Sequence, residues 1–215
     1  MAPNLPAGLY AITDPALLPE DRLVPGVTAA IAGGAAIVQY RDKAAGPADR
    51  HRRAAALAEV CRRYDALLVV NDDAALAAEI GADGVHLGRD DVDVAHARSI
   101  VGPRRLIGVS CYNEMERARA AVVAGADYVA FGSVFPSLTK PDAVRAPLAL
   151  ISEAAAALPV PVVAIGGITR DNATEVISAG ARAVAVIQDL FGGGDPEAAA
   201  RAIRAACESA RGRLE

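Results

Sequence analysis

Eight short runs of apolar, mostly β-branched residues alternate along this chain with longer alanine-rich runs of helical periodicity. Several of the short runs are continuously apolar, which is typical of parallel strands that are buried on both faces. Such alternation along a whole chain predicts an α/β protein with a parallel sheet. The predicted strands are residues 8–13, 37–41, 67–71, 84–87, 106–110, 128–132, 162–166 and 183–187.

Glycines recur where a predicted helix gives way to a strand. Gly34, Gly81, Gly125 and Gly180 occupy such junctions, and an alanine follows each of them. Glycine there can adopt the left-handed backbone that ends a helix. The predicted helices are residues 22–32, 49–64, 74–80, 92–100, 114–124, 148–158, 172–178 and 196–211.

Eight strand-and-helix units predict a single domain over residues 1–215, a closed (β/α)8 TIM barrel with its active site at the C-terminal ends of the strands. An open doubly wound sheet is the alternative. That fold would want a glycine-rich turn after the first strand, whereas residues 11–14 read Ala-Ile-Thr-Asp.

Composition argues against several classes of function. The chain is 53% hydrophobic and has a formal net charge of −4, with none of the basic stripe that nucleic-acid binders carry. No apolar run reaches the roughly 18 residues that span a membrane, and the first residues do not resemble a signal peptide. Cys61, Cys111 and Cys207 are scattered, which favours a reducing cytoplasm over a disulfide scaffold or a zinc site. We therefore expect a cytoplasmic protein; homo-oligomerisation stays open.

The end of the second predicted strand is rich in cationic and polar groups. Gln39, Arg41 and Lys43 alternate there, so they share one side of the chain. Lys43 and Lys140 are the only two lysines among 22 basic residues. An amide, a guanidinium and an ammonium that converge predict a site for an anion, and the alternative is a strand end with solvated charges.

Carboxylates follow the next two strands. Asn71 and Asp72 end the third strand, and Asp91 lies just beyond the fourth. Carboxylates opposite a basic cluster are typical of Mg²⁺ that bridges a protein to phosphate. Alternatively, Asp72, Asp73 or Asp91 caps the helix that follows.

The later strand ends indicate a second anion site. Gly166 and Gly167 end the seventh strand, where glycine amides often bind phosphate in these barrels, although a tight turn would also need glycine. The loop 134–145 carries Lys140 and is predicted to close over the substrates. His86 is interpreted as a buried structural histidine in preference to an acid–base catalyst. The residues alone thus predict an enzyme for phosphorylated substrates.

Taken together, these motifs resemble those of thiamine-phosphate synthases over nearly the full length of the chain. Each segment is a weak signal, but their order along eight strands is specific. The matching segments are Tyr-Ala-Ile-Thr-Asp at 10–14, Val-Gln-Tyr-Arg-Asp-Lys at 38–43, Val-Asn-Asp at 70–72, Asp-Gly-Val-His-Leu-Gly at 83–88 with Asp-Asp at 90–91, Gly-Val-Ser at 108–110, Gly-Ser-Val-Phe-Pro-Ser-Leu-Thr-Lys at 132–140 and Ala-Ile-Gly-Gly-Ile at 164–168.

The resemblance implies a reaction. Enzymes of this family join 4-amino-2-methyl-5-(diphosphooxymethyl)pyrimidine to 4-methyl-5-(2-phosphooxyethyl)thiazole, with Mg²⁺, to give thiamine phosphate and pyrophosphate. The pyrimidine methylene–oxygen bond is taken to break first, which leaves a carbocation that the thiazole nitrogen attacks.

The resemblance also implies roles for individual residues. The implied pyrimidine diphosphate ligands are Gln39, Arg41, Lys43, Asn71, Ser110 and Lys140; the implied thiazole phosphate ligands are Ser137, Leu138, Thr139, Gly167, Ile187 and Gln188; and the implied magnesium ligands are Asp72 and Asp91.

Two positions depart from the family pattern. Ser137 replaces a threonine, and Gln188 stands where a small hydroxyl residue is common. A related thiazole tautomerase is one alternative. It would need a histidine shortly after strand five, whereas residues 110–113 read Ser-Cys-Tyr-Asn. A non-catalytic ligand-sensing barrel should have lost a lysine or aspartate of the site, and a sugar-phosphate epimerase would not explain Thr139-Lys140 together with the basic strand end.

Overall fold

The computed structural model describes residues 4–136 and 144–213, and its strands form one closed, all-parallel barrel. Each strand pairs with the next along the chain, and β1 closes the circle against β8 through the pairs Gly8↔Ala183 and Tyr10↔Ala185. The predicted (β/α)8 barrel is therefore confirmed. The strands are β1 (Gly8–Ile12), β2 (Ala35–Tyr40), β3 (Leu67–Asn71), β4 (Gly84–Leu87), β5 (Leu106–Tyr112), β6 (Tyr128–Phe131), β7 (Val162–Ile165) and β8 (Ala183–Val186).

Helices surround the barrel, and nine lie in the described part of the chain. The predicted junction glycines all adopt positive φ, as helix-ending turns require. The helices are α1 (Glu20–Ala32), α2 (Pro47–Arg63), α3 (Ala74–Glu79), α4 (Val94–Val101), α5 (Met115–Val123), α6 (Leu148–Ala157), α7 (Ala173–Ser178), α8 (Gln188–Phe191) and α9 (Pro196–Arg211).

Several element boundaries near the predicted site differ from the sequence prediction, and two of them have a visible cause. The eighth strand ends at Val186, and Gln188 begins the short helix α8 instead of ending the strand. Arg170, in the loop after β7, holds α8 in place because its backbone N–H donates to Asp189 Oδ2 at 3.0 Å. The helix predicted at 92–100 starts only at Val94, because the Asp93 carboxylate caps the His96 N–H at 2.7 Å.

The apolar core has two layers. The larger layer packs the outer face of the strands against the helices, and it includes the free thiols of Cys61, Cys111 and Cys207. The smaller layer fills the barrel interior with inward-facing side chains. Its buried members are Leu5, Tyr10, Ile12, Ile37, Val69, Leu106, Tyr128, Ala130, Val163, Ala183 and Ala185.

Candidate active site at the carboxyl ends of the strands

The polar residues at the end of β2 and just after it have different surroundings. The Gln39 amide lies inside the barrel, where Nε2 donates to the Tyr10 hydroxyl at 3.0 Å. Asp42 turns outward and accepts a hydrogen bond from Arg53 on α2 at 2.7 Å. Lys43 places Nζ 2.8 Å from Asp72 Oδ2. Arg41 is half-buried, and its guanidinium has no carboxylate partner in residues 4–136 or 144–213.

The loop that carries Lys43 is anchored by the Asp42 carboxylate. Its Oδ1 accepts the backbone N–H groups of Ala44 and Ala45 at 3.1 and 3.0 Å. Burial by itself raises the pKa of Asp42, but the hydrogen bonds from Ala45, Ala44 and Arg53 outweigh burial and lower the pKa below its usual value. Asp42 therefore stays ionised and fixes the loop.

The structure separates the capping aspartates from the others. Asp73 caps α3, because its Oδ1 accepts the Leu76 N–H at 2.9 Å, and Asp93 caps α4. Asp72 has a φ of +66°, which turns its side chain away from α3 and toward Lys43. Asp91 caps no helix; its Oδ2 accepts the Gly88 N–H at 2.6 Å. The capping interpretation thus does not apply to Asp72 or Asp91.

Asp72 and Asp91 are close enough to influence each other's protonation. Partial burial acts to raise the pKa of Asp72, but hydrogen bonds with Lys43 and Asp91 and the Lys43 charge lower it. Burial and then the proximity of Asp72 raise the pKa of Asp91. A carboxylate pair of this kind attracts a cation, since a positive charge between the two groups relieves their repulsion.

Hard oxygen donors of this type fit Mg²⁺. Magnesium is usually held by one or two carboxylates together with phosphate oxygens and water. No cluster of three or more histidine, cysteine or acidic side chains occurs in the described residues. Asp72 and Asp91 therefore match a magnesium ion that a phosphorylated substrate helps to bind, but not a site built entirely from protein ligands.

His86 is buried inside the barrel and uses both ring nitrogens. Nε2 lies 2.9 Å from Ser110 Oγ, and Nδ1 lies 3.0 Å from the Tyr128 hydroxyl. Burial lowers the pKa of His86 to about 4, although the Asp72 charge acts in the opposite direction. The histidine is neutral at physiological pH, which supports the structural interpretation over an acid–base role. The sequence analysis did not identify Tyr10 and Tyr128, although strand alternation indicates that both are polar side chains facing the barrel interior.

The two glycines after β7 are required by close packing. Gly166 and Gly167 have φ values of +100° and +64°, and a Cβ on either would collide with the segment that follows β6. That segment is paired to the turn, since Phe135 N–H donates to the Gly166 carbonyl at 2.9 Å. The tight turn that needs glycine is therefore present.

Three of the remaining predicted residues lie in the described part of the chain, at the end of β3 and just after β8. Asn71 ends β3 beside His86 on β4, and both are partly or fully buried. Ile187 is half-buried against the inner core layer, whereas Gln188 is exposed. Residues Ser137, Leu138, Thr139 and Lys140 lie outside the described residues. The base of their loop is closed, because Ser133 exchanges backbone hydrogen bonds with Val144 and Ala146 at 3.1 and 2.9 Å.

Comparison with known proteins gives a consistent result. The profile of the thiamine monophosphate synthase family matches residues 9–190. The chain is 55% identical over 197 residues to the thiamine-phosphate synthase of Nitrosococcus oceani, which covers 92% of this chain and 91% of that protein. It is 56% identical over 196 residues to the thiamine-phosphate synthase of Chromobacterium violaceum, which covers 91% of this chain and 94% of that protein.

A solved structure also aligns with the chain. The thiamine phosphate pyrophosphorylase from Pyrococcus furiosus has a TM-score of 0.87 and 38% sequence identity, over 95% of this chain and 96% of that one. In addition, none of the helices in the described ranges is long and apolar enough to cross a membrane.

Proposed function

The chain belongs to the thiamine monophosphate synthase family, a family of transferases, and on that premise we propose that it is a thiamine-phosphate synthase. It joins the aminopyrimidine methyl diphosphate to the thiazole phosphate and releases pyrophosphate. Both substrates are small molecules, and the three free, buried cysteines support a reducing cytoplasm as the compartment.

The observation that carries the proposal is the meeting of cationic and acidic groups at one rim of the barrel. Lys43, just after β2, lies 2.8 Å from Asp72 after β3, and Asp91 after β4 is close enough to Asp72 that this proximity raises the pKa of Asp91. Arg41, which is half-buried and two residues before Lys43, is assigned to the same side by strand alternation. Such an arrangement suits a diphosphate bound together with a divalent cation.

The reaction needs stabilisation of a leaving group more than it needs a base. Negative charge develops on the departing pyrophosphate as the methylene–oxygen bond breaks, and Arg41, Lys43 and Lys140 supply fixed positive charge there. The ring amino group eases the charge on the pyrimidine methylene carbon. The neutral state of His86 is compatible with this dissociative route, because the route uses no proton transfer from a protein side chain.

Asp72 and Asp91 would hold Mg²⁺. The bound ion would supply further positive charge to the diphosphate oxygens. Lys43, which neutralises Asp72 in this structure, then becomes available to the diphosphate itself.

The thiazole phosphate is assigned to the opposite part of the rim. The backbone at Gly167 and around Ile187 and Gln188 lies where barrels of this class commonly bind phosphate. The contact of Arg170 with Asp189 fixes these two loops relative to each other, which supports a preformed site. Ser137, Leu138 and Thr139 complete the proposed set.

A coupling assay tests the proposal. The purified protein is given both substrates and Mg²⁺, and thiamine phosphate and pyrophosphate are measured. Asp91→Asn keeps an oxygen for the Gly88 N–H but removes the charge, and we expect it to lower the rate by on the order of 10²-fold. Asp90→Asn, at the exposed neighbouring carboxylate, is the matched control and should change the rate less than about twofold.

The outcomes separate the candidate functions. Product that disappears with a chelator and falls in Asp91→Asn alone supports the synthase. Thiazole isomerisation without coupling would support a tautomerase, and binding of thiazole phosphate with neither reaction would support a ligand-sensing protein.

A further inference from the structure

A continuous chain of hydrogen bonds crosses the barrel interior. It begins at Gln39 on β2, whose Nε2 is 3.0 Å from the Tyr10 hydroxyl on β1. The Tyr10 and Tyr128 hydroxyls are 2.9 Å apart, and the Tyr128 hydroxyl is 3.0 Å from His86 Nδ1. The chain ends at Ser110 Oγ, 2.9 Å from His86 Nε2. Its two ends, Gln39 and Ser110, are residues that the family resemblance assigns to the pyrimidine diphosphate, whereas its three middle members have no role there.

The need to partner each buried hydroxyl proton gives the bonds in the chain one direction. Since the Gln39 amide nitrogen only donates, the Tyr10 oxygen accepts from it. The buried Tyr10 proton then has the Tyr128 oxygen as its acceptor among the described residues, and the reverse direction would leave that proton unpaired. The Tyr128 hydroxyl then donates to Nδ1 of His86. The imidazole is therefore neutral with its proton on Nε2, from which it donates to Ser110.

This direction leaves opposite groups at the two ends. The Ser110 oxygen accepts from His86, so its own O–H proton is left to point elsewhere as a donor. Gln39 uses its NH₂ group inside the chain, and no hydrogen bond occupies its Oε1 among the described residues. One end thus offers a hydrogen-bond donor, and the other offers an acceptor.

Packing holds the middle members rigidly. Tyr10 and Tyr128 are about 1% exposed or less, and burial raises the pKa of Tyr10 to about 12, so its hydroxyl stays protonated. The Tyr128 ring stacks on His86 with 5.6 Å between ring centroids, and it meets the Tyr10 ring edge-on at 6.3 Å. Gly108 makes room for the Tyr128 ring, because a Cβ there would overlap the phenol. Few alternative rotamers are open to such side chains.

We propose that Tyr10, Tyr128 and His86 are positioning residues that set the hydrogen-bonding polarity of Gln39 and Ser110 toward the pyrimidine ring. This inference rests on the proposed function. An aminopyrimidine carries an N–H donor beside ring-nitrogen acceptors, and a site with one fixed acceptor and one fixed donor is complementary to it. A pyrimidine in which oxygen replaces the amino group would place an acceptor opposite the fixed acceptor of the site, and it would therefore bind more weakly.

The kinetic test removes the central hydroxyl. Tyr128→Phe keeps the ring but breaks the chain, and we expect kcat/KM for the pyrimidine diphosphate to fall at least about tenfold while KM for the thiazole phosphate changes less than about twofold. Tyr40→Phe is the matched control, because the Tyr40 hydroxyl is buried on the outer side of β2 and has no partner among residues 4–136 and 144–213. It should leave both parameters within about twofold of wild type.

A double substitution distinguishes a connected chain from separate contacts. Tyr10→Phe should lower kcat/KM about as much as Tyr128→Phe. The double variant should have a kcat/KM only slightly below that of either single variant, because one break already removes the constraint on the direction of the hydrogen bonds. Equal kinetics for wild type and Tyr128→Phe, with an unchanged melting temperature, would overturn the proposal. So would parallel losses for both substrates.

A spectroscopic test does not depend on activity. Nitrogen-15 NMR of labelled wild-type protein at neutral pH should show His86 neutral with the proton on Nε2, with His86→Gln used to assign the signal among the three histidines. A proton on Nδ1 would reverse the chain and overturn the proposed polarity. If wild type forms no thiamine phosphate, the proposed function fails, and the His86 tautomer still decides the direction of the chain.

Discussion

Replacement of Asp42 tests how the loop that carries Lys43 is held. Asp42 is almost completely buried, and its carboxylate accepts three hydrogen bonds, two from the backbone of Ala44 and Ala45 and one from Arg53. Asp42→Ala removes about 1 kcal/mol for each backbone bond and about 2 kcal/mol for the charged bond. Arg53 keeps Glu20 as a partner at 3.0 Å, and water reaches the released N–H groups.

We therefore expect the free energy of unfolding to fall by about 3 kcal/mol in Asp42→Ala. For a domain of this size that loss lowers the melting temperature by about 6–12 °C. Thermal and urea unfolding followed by far-ultraviolet circular dichroism measure both quantities. Asp49→Ala is the control, since its pair with Arg52 is more than half exposed on both sides and should contribute less than about 1 kcal/mol. Equal stability losses for the two variants would refute the reasoning.

Two further predictions concern the pH dependence of the Asp42 contacts and the packing around Tyr128. The first concerns pH. The stabilising effect of Asp42 should be complete above about pH 4, near its unfolded pKa, and should diminish as the pH falls through its lower folded pKa. The free energies of unfolding of wild type and Asp42→Asn, measured with urea, should therefore converge below about pH 4 and stay separated at pH 7. The second concerns packing. Gly108→Ala should lower the free energy of unfolding by roughly 1–3 kcal/mol, because the new methyl group meets the Tyr128 ring. Gly193→Ala is the control and should change that free energy by less than about 0.5 kcal/mol, because no described atom lies near its Cβ position. Equal free energies of unfolding for these two variants would contradict the packing argument.

The fold could be predicted because its signal is local and repeated. Each unit of the barrel carries its own apolar run and helical periodicity, and the junction glycines mark where helices end. The prediction that Gln39, Arg41 and Lys43 share a side depends only on alternation, and the outward contact of Asp42 with Arg53 is compatible with it.

Other features of the site depend on geometry that no local pattern contains. Four aspartates, Asp72, Asp73, Asp91 and Asp93, stand near helix starts with similar neighbours, and only the backbone decides which two of them cap. The Tyr10–Tyr128 contact joins residues 118 positions apart, so it depends on how all eight strands are staggered in the closed barrel. Helix α8 is too short to produce a periodic signal, which is why the sequence predicts no helix at Gln188.

The solvent exposure of the polar residues in the candidate site increases from the barrel interior to the rim. This gradient relates the chain of hydrogen bonds to the proposed reaction. From the end of β2 into the loop that follows, Gln39 is 3% exposed and neutral, Arg41 is half-buried, and the Lys43 side chain is 62% exposed. A charge at the depth of Gln39 would lose its hydration, whereas a charge at the rim keeps much of it. A substrate with a neutral ring and a diphosphate has the same division, so its ring matches the buried, neutral groups and its diphosphate matches the rim. In this orientation the bond that breaks lies between the two zones, where the rim cations face the departing group and the groups of the hydrogen-bond chain beside the ring are neutral.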